Sequence, residues 1–112
     1  VEHDRIKNIV HLGVSTFGWT FMNRNWPVPI EVPNVILTAP SGKIWEWKGE
    51  NSKGNLVKGD AKEFSQVVAQ TRNVLDTELK IVGDVAKKWM KYAQCFAGPP
   101  EDPPAKGTRF GL

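Results

Sequence analysis

Cysteine is the scarcest resource in this chain of 112 residues: there is one, so no intrachain disulfide can form. That fits a reducing compartment, and a cytoplasmic setting is expected. Cys95 falls in the apolar-periodic run WMKYAQCF, where a buried, inert thiol is expected in preference to a nucleophile. Histidine is almost as rare, with His3 and His11 the only two. On one helix they would stand roughly 12 Å apart, too far to share a metal. Neither has an evident Ser or Cys partner for nucleophilic catalysis. Cys/His clusters and His-Glu-x-x-His patterns are absent as well. No metal ligand, no catalytic residue and no resident cofactor is therefore expected within this chain.

Other absences narrow the class further. No apolar run reaches the roughly 18–20 residues that span a bilayer. The start VEHDRIKNIVHLG lacks the basic, apolar, small-residue order of a secretory signal. Blocks of one charge are also missing: Lys and Arg total 15, Asp and Glu total 12, and the two signs are interspersed to a net +3. A solvated mixed-charge surface is favoured over a nucleic-acid face, which needs clustered cations. The stretch TAPSGKIWEWK carries Ser41-Gly42-Lys43 but not the pattern of a phosphate loop, since Leu37 stands where the first Gly belongs and Ile44 where Ser or Thr belongs.

What remains, 40% hydrophobic and 24% charged residues, is the composition of a globular domain. One α+β domain over residues 1–100 is expected, followed by a flexible Pro-rich tail over 101–112. Apolar residues at Ile6, Ile9, Val10, Gly13 and Phe17 predict a helix over about 4–23, with Asp4 as its cap and Asn23 ending it in a left-handed turn. Gly13 and Gly18 either admit a neighbouring element closely or split the helix near STFGW. Trp19, Phe21 and Trp26 leave its far side apolar, so either another part of this chain or a missing one is expected to cover it, with Trp19 and Phe21 as candidate interface residues. Pro27, Pro29 and Pro33 make the following stretch an extended connector.

VPNVILT and KIWEW predict a hairpin over 35–48 around a three-residue loop, with Gly42 at positive φ. Its register sets Leu37 opposite Trp45 and Val35 opposite Trp47 on one face, leaving Ile36, Thr38, Ile44, Glu46 and Lys48 on the other. Two echoing units follow, LVKGDAKEF and KIVGDVAKKW, each a strand, a Gly-Asp and a helix. Helices over about 60–74 and 84–97 are expected, capped by Asp60, with Glu63 completing a capping box, and by Asp84. Gly98-Pro99-Pro100 is expected to stop the last helix. All three helices are expected on one face of the small sheet. Trp45, Trp47 and Trp26 are candidate ligand-binding residues as apolar walls. Arg72, in VVAQTRNVLDTEL, reads as a solvated helix-end cation or as an anion-holding guanidinium.

RIKNIVHLGVSTFGWTFMNRN, ILTAPSGKIWEW, VVAQTRNVLDTEL and GDVAKKWMKYAQCFAGPP together resemble the C-terminal part of bacterial two-domain proteins similar to mycothiol-dependent maleylpyruvate isomerase. The nearest branch is uncharacterised metal-binding homologues from actinobacteria. Part of the region also resembles a small domain named for wyosine base formation. The resemblance spans about residues 5–100 and implies a sterol-carrier-like fold, placed after a four-helix bundle of the DinB type whose His and Glu ligands hold a divalent metal. This chain begins at Val1 without Met, and the expectation is a fragment or C-terminal part of a larger two-domain protein. The resemblance places Arg72 near the site, although Thr71 and Val74 depart from the arginine-rich pattern of such proteins.

The function so implied is a non-catalytic accessory domain of a metal-dependent thiol transferase or isomerase, which shapes or closes the site of an absent N-terminal bundle. A stand-alone module that binds a small apolar or thiol-containing ligand, or that self-associates as a dimer, is the alternative. A tRNA-associated domain is the third reading.

Overall fold

The computed structural model describes residues 6–104. Helix α1 (Lys7–Ser15) is followed by α2 (Phe17–Met22), strands β1 (Asn34–Thr38), β2 (Ile44–Trp47) and β3 (Leu56–Asp60), helix α3 (Ala61–Val68), a 3-10 turn (Val74–Asp76), strand β4 (Lys80–Val82) and helix α4 (Asp84–Tyr92). The strands form one sheet in the order β2-β1-β3-β4, with β1 and β3 parallel and both outer pairs antiparallel. Val35, Leu37, Trp45 and Val57 bury one face against Val10, Phe17, Phe21, Phe64, Val67, Val68, Ala86, Trp89 and Met90 of the four helices. Thr38, Ile44, Glu46, Lys48 and Lys58 leave the opposite face exposed. The fold is α+β, with its helices on one side of the sheet. None of the helices among the described residues is long and apolar enough to cross a membrane.

The hairpin has the expected register, Val35 opposite Trp47 and Leu37 opposite Trp45. At its turn the Gly42 N–H donates to the Ala39 carbonyl at 2.8 Å and the Ala39 N–H to the Lys43 carbonyl at 2.7 Å. Gly42 has φ +91°, the left-handed position that closes a three-residue loop.

The helices are shorter than their periodicity suggested. In place of one helix over 4–23, α1 and α2 meet at Thr16, whose hydroxyl donates to the carbonyls of Leu12 at 2.8 Å and Gly13 at 3.2 Å, while Ser15 donates to His11 at 2.8 Å. Such back-bonding competes with the helical ladder and bends it. Gly13 serves as a point of close approach too: a Cβ there would lie 2.8 Å from Val68 of α3. The left-handed residue after α2 is Asn25 (φ +60°), while Asn23 stays helical. The expected cap at Asp4 lies outside the described residues, as does His3.

Helix α3 ends at Val68 and not at 74. Gln70 takes φ +59° and donates to Val67, and the Thr71 N–H donates to Gln66, a Schellman end built without glycine. Helix α4 ends at Tyr92 and not at 97. Past it the Gln94 N–H donates to the Thr20 hydroxyl and the Cys95 N–H to the Val68 carbonyl, so α2 and α3 take over the hydrogen bonds that a continued helix would have made.

The two Gly-Asp units use their residues differently. Asp60 caps α3 as expected, accepting from the Glu63 N–H at 3.0 Å. In α4 the cap position is Gly83, Asp84 lies in the first turn, and the side chain that caps is Asn55 from the β2–β3 loop, accepting from the Ala86 N–H at 3.1 Å. Gly83 has φ +95°, and a Cβ there would stand 2.2 Å from Asn55 Oδ1.

Residues 101–104, the start of the expected Pro-rich tail, are hydrogen-bonded to the rest of the fold. The Glu101 N–H donates to Gln94, and Gln70, Arg24 and Asn73 donate to this segment at Glu101, Asp102 and Pro104. The remainder of that expected tail, 105–112, lies outside the described residues.

Replacing Gly83 by alanine forces both a strained backbone and displacement of the Asn55 cap. Gly83→Ala is expected to lower unfolding stability by roughly 2–3 kcal/mol, measured by urea denaturation. Asn55→Ala alone should cost about 1 kcal/mol.

Candidate functional site

A concavity with mixed chemistry lies where α1 runs beside β2. It is a cleft of about 390 Å³ lined by Lys7, Asn8 and His11 of the helix and by Ile44, Trp45, Glu46 and Trp47 of the strand. Helical geometry explains the first wall, because Lys7 and His11 are one turn apart and share a face, flanked by Asn8. Strand geometry explains the second, since the rings at 45 and 47 lie on the core side, under α1.

Within the cleft Trp45 is buried, with Lys7 Nζ standing 5.4 Å from the centre of its ring. Trp47 is half-buried, and its indole N–H donates to His11 Nδ1 at 3.2 Å. Accepting at Nδ1 requires the histidine to carry its proton on Nε2, which remains available as a donor. Of the candidate ligand-binding residues, then, Trp45 and Trp47 come together, Trp45 as core and Trp47 as the margin. Lys7, Asn8 and His11 were not singled out from the sequence as members of this site. The i, i+4 pair Lys7 and His11 on a polar flank of α1 was the available signal.

Trp26 lies elsewhere. It packs edge-on against Tyr92, ring centres 5.0 Å apart, with Arg24 and Lys88 over its faces at 5.4 and 4.5 Å. Arg24 also covers Tyr92 at 4.7 Å and pairs with Asp102 at 3.1 Å. These rings are occupied by the chain's own cations and offer no open stacking platform.

Arg72 is partly buried and held by the chain's own acceptors. Its Nη1 donates to Glu63 Oε2 and Gln66 Oε1, each at 3.2 Å, and its Nη2 to the Asp76 carbonyl at 2.6 Å. Glu63 uses its second oxygen to accept from the Glu78 N–H at 3.1 Å. The guanidinium thus ties the loop after α3 back to that helix. It also explains why Glu63 does not complete the capping box, its carboxylate being taken by Arg72 and Glu78.

The interface pair divides in the same way. Phe21 is 1% exposed and belongs to the core, which overturns its place in an interface. Trp19 is half-buried, donates to the Phe96 carbonyl at 3.3 Å, and lines a shallow apolar depression of about 320 Å³ with Thr16, Cys95, Phe96 and Ala97. Burial raises the Cys95 thiol above the ordinary cysteine value, a backbone hydrogen bond opposing it in part. Among the described residues no three His, Cys, Asp or Glu side chains cluster as metal ligands.

No family model matches the chain, and no solved structure matches it. Two uncharacterised proteins of Mycobacterium tuberculosis, from strains CDC 1551 and H37Rv, are each 38% identical to it over 96 residues. The alignment covers 86% of this chain and 37% of each relative, so the chain spans little more than a third of the length of the curated relatives it matches.

Two outcomes follow from this geometry. Arg72→Ala is expected to destabilise the fold by about 1–3 kcal/mol in chemical denaturation, because Glu63 and the Asp76 carbonyl lose their donor. Cys95 is expected to alkylate more slowly than in the urea-unfolded chain across neutral pH. Its raised folded value means this group leaves stability unchanged below the unfolded cysteine value and lowers it as pH rises toward the folded one.

Proposed function

We propose that this chain is a non-catalytic accessory domain within a larger metal-dependent protein of the thiol transferase or isomerase type, and that it docks on the part of that protein which carries the metal. The observation that supports the reading most is an outward strip on the two N-terminal helices. Ile9 and Leu12 are 42% and 46% exposed, and at helical spacing Thr16 and Trp19 continue the same face. Beside them Val10 and Gly13 are buried against the core, while Ile9 and Leu12 stay largely outside it.

At its far end the strip enters the apolar depression of Trp19, Cys95 and Phe96. A face of this kind suits a second helix laid across α1. The relatives contain about as much chain as would be needed to supply one, since most of their length lies outside the matched region. In this reading a divalent metal and its ligands belong to that other region. This chain supplies a wall to the site, Arg72 acts as internal scaffolding, and the free thiol of Cys95 accords with a cytoplasmic setting.

Expression of the unmatched region of a mycobacterial relative, mixed with this chain, tests the proposal. A complex is expected on size-exclusion chromatography, with metal found in the added region and lost affinity when Ile9→Glu and Leu12→Glu are combined. Two components that elute separately, or a complex indifferent to both substitutions, would sink it.

A further inference from the structure

We propose that the cleft between α1 and the outer edge of β2 accepts an extended acidic peptide segment as an added strand. The inference rests on groups separate from the Ile9–Trp19 strip and stands or falls independently of it.

Strand β2 is terminal in the sheet order and has no partner on its outer side among the described residues. The Ala39 N–H donates to the Lys43 carbonyl, and the register pairs Leu37 with Trp45 and Val35 with Trp47. Antiparallel alternation therefore directs the main-chain groups of residues 43, 45 and 47 toward β1 and turns the N–H and C=O of Ile44 and Glu46 outward. Ile44 is 62% exposed, so its side chain does not shield that edge.

Helix α1 runs alongside, making Lys7, Asn8 and His11 one wall of a cleft whose other wall is Ile44–Trp47. A groove between a helix and a free strand edge admits an extended chain, which bonds through its backbone and points alternate side chains at the helix. The cleft is open and has main-chain donors and acceptors along its length, which suits a strand better than an enclosed apolar ligand.

Charge defines the occupant. Alternation sets Lys43 on the same face as Trp45 at the start of β2 and Lys7 overhangs Trp45, and neither lysine has a carboxylate partner among the described residues. Among the described residues Glu46 is the one acid lining the cleft. Lysines on an edge strand ordinarily guard it against apolar strands. The same cations attract a strand that carries carboxylates and reject one that carries ammonium groups. His11 adds its Nε2–H as a donor, because Nδ1 is taken by Trp47. The partner is thus an extended segment of another protein in which apolar and acidic residues alternate, with acidic side chains on the helix side.

The probe is an end-blocked heptapeptide of alternating Val and Glu, titrated into the 15N-labelled protein, with its Val and Lys counterpart as control. Saturable shifts are expected at the amides of Ile44 and Glu46 and at the Trp47 indole for the acidic peptide alone. Ile44→Pro removes an outward N–H without removing a bond to β1, a position where an edge strand tolerates proline. It is expected to weaken binding roughly fivefold, the effect of one lost backbone hydrogen bond. Combining Lys7→Glu with Lys43→Glu should reverse the preference between the two peptides while keeping the fold, and Ile9→Glu with Leu12→Glu should change nothing. Shifts confined to other surfaces, no shifts, or equal binding of both peptides would overturn the proposal. So would line broadening of β2 amides with protein concentration and no peptide, which would assign the edge to a second copy.

Discussion

The ring of Trp89 is the point on which the helical layer converges. It stands on α4, meets Phe17 of α2 edge-on at 5.2 Å and 82°, and meets Phe64 of α3 at 5.8 Å and 72°. Burying an indole of roughly 150–250 Å² contributes about 4–6 kcal/mol. Its N–H has no hydrogen-bond partner among the described residues, which costs about 1–3 kcal/mol. The size of the ring outweighs its orphaned donor. Three helices locked to one ring must lie on one side of the sheet, and that arrangement leaves both the β2 edge and the outer strip of α1 at the periphery.

How the chain is divided into elements was legible wherever one local rule acted alone. The hairpin is the clearest case, because Pro40-Ser41-Gly42 determines the loop and the loop determines the register of four residues on each side. The strand-helix echoes were legible for the same reason, their Gly-Asp pairs marking where extended backbone gives way to helix. Beyond the Asp60 cap of α3 and the break near Thr16, helix ends were not legible, since they are set by a distant partner or an unexpected residue. Gln70 adopts a left-handed conformation that favours glycine, Thr20 captures the Gln94 N–H from α2, and Asn55 caps a helix thirty-one residues further on. None of these three leaves a local trace in composition or periodicity.

The candidate site divides along a related line. Trp45 and Trp47 could be placed on one face from alternation, but which of them is core depended on where α1 lies, and no spacing within either segment encodes that. Arg72 illustrates the reverse: its side chain is committed to Glu63, Gln66 and Asp76, so a residue attractive for its chemistry is used for loop closure. A cation that is already satisfied is a poor guide to a ligand, whereas Lys7, Lys43 and Lys48 have no carboxylate partner among the described residues. Two surfaces consequently differ in chemistry, one apolar on α1 and one polar along β2.

The segment from Phe96 to Pro104 has a further consequence. Asn23, Arg24, Gln70, Asn73 and Gln94 all donate to its main-chain carbonyls, at Phe96, Gly98, Pro99, Glu101 and Pro104. Prolines at 99, 100, 103 and 104 have no N–H of their own, so the segment is largely a strip of acceptors that its own backbone cannot satisfy. Apart from the Arg24–Asp102 ion pair, those five side chains read the path of the chain and not its side chains. Such a segment can change most of its residues while holding its course, so it would look dispensable in an alignment of sequences even though the rest of the fold contacts it throughout.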